Sequence, residues 1–171
     1  VLAVSGAAPG GTLATDGNAI MQGTETFSAS IPGFPEFGSV EADVEYAVYS
    51  PGSFNSSFSG ADPSGDSEYV YAYQMFNTGP MLLNQLTVGL DPGDPVTSIG
   101  VVDDPNGSAG VSPNPSGVSF QGTAPNFTSA KWTYNPNPGV PNGGKSQILI
   151  FTSPNSPEFD DVTVLAGAIA D

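Results

Sequence analysis

Oxygen ligands are the chemistry that this sequence offers most densely. Asp62-Pro63-Ser64-Gly65-Asp66-Ser67-Glu68 places three carboxylates within seven residues, with a glycine in the turn. Asp103-Asp104-Pro105-Asn106-Gly107 adds two carboxylates and an amide. Hard oxygen donors on a bending loop suit calcium. The candidate ligands are therefore Asp62, Asp66 and Glu68, or Asp103, Asp104 and Asn106, and Ca2+ is the candidate cofactor. Neither segment follows the D-x-[DN]-x-[DN]-G-x5-E loop, and Asp, Asn and Gly serve equally as plain turn residues. Carboxylates are also the available route to acid–base catalysis, as in a glycosidase that sets two of them across a cleft. Glu25, Glu36, Glu41, Glu45, Glu68 and Glu158 stand beside eleven aspartates, but no spacing marks a pair. The reading is that the chain is not an enzyme and has no catalytic residues.

Composition removes most other chemistries. The 171 residues contain no His and no Cys, so Ser-His and Cys-His triads, thiol redox chemistry and ordinary zinc, haem or iron–sulfur sites are excluded. Seventeen acids face two basic residues, Lys131 and Lys145, for a net charge of −15. Two lysines cannot form a phosphate-binding patch, so nucleic acid is not a partner. No run approaches the ~18–20 apolar residues of a membrane span. A start at Val1, with abundant Ser, Thr, Asn and Gly and no Arg, fits a processed extracellular or cell-surface protein after removal of a signal peptide.

Glycans enter in two ways. Asn55-Ser56-Ser57, Asn106-Gly107-Ser108 and Asn126-Phe127-Thr128 are acceptor sequons, making Asn55, Asn106 and Asn126 candidate glycosylation sites. Pro115 disqualifies Asn114. Phe127, Trp132 and Tyr134 are a candidate sugar-stacking platform, although a single Trp beside Lys131 on a short strand is more often core.

The elements that must position these residues are strands. Ser39–Tyr49 alternates, with Val40, Ala42, Val44, Tyr46 and Val48 opposite Glu41, Asp43, Glu45, Ala47 and Tyr49, which predicts one face in the core and the acids in water. Tyr69–Asn77 is apolar on both faces and predicts a central strand. Further strands are expected over Thr24–Ile31, Leu83–Leu90, Val96–Val102, Gly117–Gln121, Lys131–Tyr134, Ser146–Thr152 and Asp161–Ala170. Gly and Pro, 39 residues together, interrupt almost every helical window. The expectation is an all-β, antiparallel β-sandwich of a jelly-roll kind, with roughly eight to ten short strands. Long Pro/Gly/Asn-rich loops at Gly107–Ser116 and Asn135–Gly144 should lie on its surface. Residues 12–171 form the single domain, and residues 1–11 an apolar N-terminal arm.

Both ends are apolar in an otherwise acidic chain. Val1-Leu2-Ala3-Val4-Ser5-Gly6-Ala7-Ala8 precedes Pro9-Gly10-Gly11, and Val162–Ala170 is apolar on both faces. Each end could be an ordinary strand of its own sandwich. Either could instead complete a neighbouring subunit's sheet by β-strand addition. Head-to-tail donation that does not close into a ring builds a filament. The favoured donor is the arm, led by Val1, Leu2, Ala3 and Val4, entering an acceptor groove lined by Val88, Val101, Ile148 and Ile150.

From Ser39 onward the text resembles a known group. Val44-Glu-Tyr-Ala-Val-Tyr-Ser-Pro-Gly-Ser-Phe54, Ala61-Asp-Pro-Ser-Gly-Asp-Ser-Glu-Tyr-Val-Tyr-Ala-Tyr-Gln-Met-Phe-Asn77 and Leu86-Thr-Val-Gly-Leu90 resemble secreted β-sandwich proteins of planctomycetes and similar environmental bacteria. Many of these are exported with a C-terminal PEP-CTERM sorting signal. The likeness spans roughly residues 40–152, and its most specific motif is the Tyr-x-Tyr-x-Tyr strand ending in Phe-Asn. The sequence carries no Pro-Glu-Pro signal, which fits its removal or a protein that never had one. The resemblance implies an extracellular matrix, surface or fibre role and transfers no catalytic residues. In general architecture the chain is also similar to bacterial surface-filament subunits joined by donated strands. The functional expectation is an extracellular structural protein forming a head-to-tail homopolymer. The alternative is a secreted monomeric carbohydrate- or calcium-binding β-sandwich module.

Overall fold

The computed structural model describes residues 13–30, 39–91, 93–104, 114–134, 138–157 and 164–166. Two antiparallel sheets account for nearly all of the regular structure. The first is ordered β1-β2-β3-β8-β5, from Met21–Ser30, Ser39–Tyr49, Tyr69–Asn77, Ile148–Ser153 and Ser98–Val102. The second is ordered β6-β7-β4-β9, from Gly117–Thr123, Asn126–Thr133, Gln85–Gly89 and Val164–Ala166. The chain is thus an all-β sandwich, as its alternating runs and its turn residues require. The jelly-roll order is not established by this pattern, because β1, β2 and β3 lie side by side as a meander. Among the described residues no helix is long and apolar enough to cross a membrane.

Between the sheets, Val40, Ala42 and Val44 of β2 and Tyr73 and Met75 of β3 meet Leu86 and Val88 of β4 and Ala130 and Trp132 of β7. Leu149 and Phe151 of β8 complete this core from the first sheet. Period-two alternation aims these side chains to one face. Tyr71 stacks on Phe151 with ring centroids 4.7 Å apart. Trp132 Nε1 donates to Gly100 O at 2.9 Å, tying the second sheet to β5 at the edge of the first.

The opposite face of the first sheet is not left to water. Ala47 and Tyr49 of β2, Val70 and Ala72 of β3, and Ile148 and Ile150 of β8 pack there under Leu13, Phe54 and Phe58. Two short local structures supply this cover. Leu13–Thr15 is a 3-10 turn, and Phe54–Ser57 is a single helical turn. Phe54 and Phe58 are four residues apart, which in a helical turn places both rings on one side. They stack at 4.7 Å, and Tyr49 meets Phe54 edge-on at 5.1 Å.

This second cluster corrects the expectation that Glu41, Asp43 and Glu45 form one solvated row. Glu45 is 6% exposed, and its Oε2 accepts a hydrogen bond from Ala14 N at 3.2 Å. The segment that brings Leu13 onto the sheet also covers this carboxylate. The expected surface loop at Asn135–Gly144 is corrected in part. Gly139, Val140 and Gly144 are buried, and Val140 exchanges backbone hydrogen bonds with Leu83 at 2.9 and 3.1 Å. A Cβ on Gly139 would collide with the Leu83 backbone, so only glycine permits that approach.

Candidate assembly edges

An antiparallel sandwich has four edges, and each ends a ladder of backbone donors and acceptors. Here they are β1 and β5 in the first sheet and β6 and β9 in the second. The β5 edge lies against β6, and Gly100 O is occupied by the Trp132 indole. β6 is broken by a bulge between Gln121 and Gly122, with Gly122 at φ 106°. A bulge twists an edge away from further pairing. β9 joins β4 through three residue pairs, Leu86↔Ala166, Thr87↔Leu165 and Val88↔Val164. β1 pairs along all ten of its residues with β2, and no described strand pairs with its other side.

The segment leading into β1 is anchored by a polar lock. Tyr49 Oη donates to Asp16 Oδ2 at 2.8 Å, and Asn18 N donates to Asp16 Oδ1 at 2.9 Å. Asn18 Nδ2 also donates to Ser57 Oγ at 3.0 Å. Burial pushes the Asp16 carboxyl up, but hydrogen bonds from Ser57, Asn18 and Tyr49 outweigh it and hold the group below the usual carboxylate range. Burial, reinforced by the Asp16 bond and charge, pushes the Tyr49 hydroxyl well up. The segment from Leu13 to Asn18 is therefore fixed to the first sheet.

The residues singled out in the sequence separate in space. Asp62 Oδ1 closes its own turn, accepting from Ser64 N at 2.8 Å and Ser64 Oγ at 2.7 Å. Asp66 Oδ1 accepts from Asn55 Nδ2 at 2.5 Å, and Glu68 Oε2 accepts from Thr97 Oγ1. Asp103 is exposed, whereas Asp104 is buried and paired with Lys145 at 2.5 Å. Gln74 Nε2 donates to that same Asp104 Oδ2 at 3.0 Å. Asn106 lies outside the described residues. Among the described residues no three acidic groups converge as a ligand set.

Of the sequon asparagines, Asn126 is exposed at the start of β7, and Asn55 is half-buried with its amide engaged by Asp66. The stacking platform is corrected. Trp132 and Tyr134 are fully buried core residues, and Phe127 is half-buried against Phe120 at 5.1 Å. The lysine beside Trp132 was no sign of exposure, because alternation sends neighbours to opposite faces.

The proposed acceptor lining is corrected too. Val88 and Val101 belong to the core between the sheets, whereas Ile148 and Ile150 belong to the cluster on the outer face. Residues on opposite faces of one sheet cannot line one groove. The donor residues Val1, Leu2, Ala3 and Val4 lie outside the described residues, as does Val162–Ala170 apart from Val164–Ala166.

Sequence reasoning missed the open β1 edge. Its signal was nevertheless present: Met21–Ser30 holds ten residues with neither Pro nor Lys, and Glu25 is its single charged residue. Which strand is an edge depends on sheet order, and no local pattern encodes that order. Comparison with protein-family models, with curated proteins and with solved structures finds no match.

Proposed function

We propose that this chain is an extracellular structural protein, the subunit of a surface filament or matrix fibre assembled by β-strand donation between neighbouring copies. One observation carries the reading. A segment close to the C-terminal end of the sequence, Val164–Ala166, acts as an edge strand of the second sheet, held to β4 by three residue pairs. The strand it covers contributes Leu86 and Val88, 0% and 2% exposed, to the core. Pairing of a short separate segment onto a core strand is the same backbone contact that strand addition between copies uses, which supports the reading.

The remaining support is compositional. An acidic surface with two lysines suits a structural role outside the cell better than recognition of anionic partners. Self-repulsion at −15 opposes assembly but is screened within ~8 Å at physiological salt. The glycan-binding alternative loses support because two of its three platform aromatics lie in the core.

The test is electron microscopy and size-exclusion chromatography of the intact chain beside a version lacking Val1–Gly10. Filaments from the intact chain and monomers from the shortened one establish donation by the arm. Filaments from both move the donor to the C-terminal segment. Monomers from both overturn the reading.

A further inference from the structure

We propose that the free edge of β1 is the acceptor in this assembly, and that its occupant is the Val1–Ala8 segment of a second copy of this chain. The inference rests on the filament reading and adds to it the surface on which the donated strand lands.

The first sheet has five strands and the second four. β5 lies beside β6. Aligned packing from that side would set β8 against β7, β3 against β4 and β2 against β9, and leave β1 with no strand opposite among the described residues. Exposure follows this mismatch. Across the β1–β2 pair, Met21, Glu25, Phe27 and Ala29 face the same way as Val48, Val44, Ala42 and Val40. Those four β2 residues are buried, whereas Met21 and Phe27 are half-buried and Glu25 and Ala29 exposed. Next to the start of this strand Ile20 is 55% exposed. Core-facing apolar surface thus continues past the last covered strand.

The edge also selects its occupant. Glu25 stands on β1, and Asp43 reaches it by accepting a hydrogen bond from Thr26 Oγ1 at 2.7 Å. Like charges placed across a strand pair are destabilising, so an acidic strand is a poor partner. Val1–Ala8 carries no charged side chain, and the first acid in the sequence is Asp16. Its eight residues fit within the ten of β1. Leu2, Val4 and Ala8 fall on one face of an extended segment, with Leu2 and Ala8 as far apart along the chain as Met21 and Phe27, while Val1, Ala3, Ser5 and Ala7 form a small opposite face.

The arm starts from an anchored point. Leu13 is fully buried beneath Phe54 and Phe58, over β2 and β3, and Asp16 is locked to Tyr49. In the sequence Pro9-Gly10-Gly11 stands between Val1–Ala8 and that anchor. Donor and acceptor are different surfaces of one chain, so addition propagates from copy to copy.

The native absence of cysteine makes a disulfide test clean. Full-length chains carrying Ala3→Cys or Ser5→Cys are each combined with Gln22→Cys, Thr24→Cys or Ser28→Cys, all three at exposed β1 positions. They are oxidised gently and run on non-reducing gels beside electron micrographs, with Trp132 fluorescence reporting folding. The expected result is a ladder of covalent multimers in at least one combination, where single-cysteine controls stop at dimers. Filaments without a ladder in any combination overturn the β1 assignment and leave the filament reading intact. A disulfide confined to monomers overturns the second-copy occupant. Folded protein with neither filaments nor ladder overturns the filament reading itself.

Discussion

The two faces of the five-stranded sheet bury apolar side chains in different ways. The inner face meets a second sheet, and its core is strand against strand, from Val40 and Met75 to Leu86 and Trp132. The outer face is covered by two short turns, so that Leu13, Phe54 and Phe58 form a lid over Tyr49, Val70 and Ile150. The inner core is bounded mainly by apolar contacts. The outer lid comes with carboxylates at its margin, Asp16 on Tyr49 and Glu45 on Ala14 N. The first arrangement is as stable as the sandwich. The second can yield locally, because a 3-10 turn has little structure beyond what its anchor supplies.

The largest effect that separates the faces is expected at Trp132. Trp132→Ala removes a fully buried indole and the hydrogen bond to Gly100 O, and should cost about 3–5 kcal/mol. Urea titration followed by far-UV circular dichroism checks this, and a loss below about 1 kcal/mol would break the distinction. Leu13→Ala removes a side chain that is equally buried. It should cost about 2 kcal/mol, the low end for buried leucine, because the turn can swing away rather than leave a sealed cavity. Hydrogen exchange should show residues 13–20 losing protection while the amides of β7 keep theirs. Equal loss in both regions would mean that the lid and the core are one cooperative unit.

The contrast also explains what the sequence made legible. Alternation in Ser39–Tyr49 and Tyr69–Asn77 placed two strands at their observed bounds, because a two-residue period is local and strong. It identified Tyr69–Asn77 as covered on both faces without saying by what. The lid was not legible, since Leu13-Ala14-Thr15 and Phe54-Asn55-Ser56-Ser57 have no period of their own and gain meaning from the strand beneath. For the same reason Glu45 read as solvated. β7 was placed too late, at Lys131, because Asn126-Phe127-Thr128 read as an acceptor sequon, whereas it pairs with β6 from Asn126 onward. Among the candidate sites, the acidic segments were visible as text. Their dispersal into separate turn and partner bonds at Ser64, Asn55, Thr97 and Lys145 was not.

Smaller changes sharpen the outer side of the comparison. Tyr49→Phe keeps the ring that meets Phe54 and removes the hydroxyl that donates to Asp16, so it should cost about 1 kcal/mol. The loss should largely vanish in an Asp16→Asn background, as a double-mutant cycle would show. If the two losses simply add, the hydroxyl and the carboxylate act independently.

The smallest effect is the pH dependence of that pair, and its sign is fixed by the structure. The Asp16 carboxyl is held below its ordinary value, so the folded state favours the ionised form. The stability this contributes is present above the unfolded value, near 3.9, and is lost as pH falls through the lower folded value. The melting-temperature gap between the native chain and Asp16→Asn should therefore stay level above about pH 5 and narrow below about pH 4. At the alkaline end, burial, with Asp94 and Tyr69 nearby, pushes Tyr71 on the inner face up to about 12. Its contribution is present below the unfolded value near 10 and is lost as pH rises toward 12. Tyr49 shifts in the same direction, so alkali loosens both faces. Acid acts on the outer lid through Asp16, and a gap that stays constant down to pH 2 would remove that asymmetry.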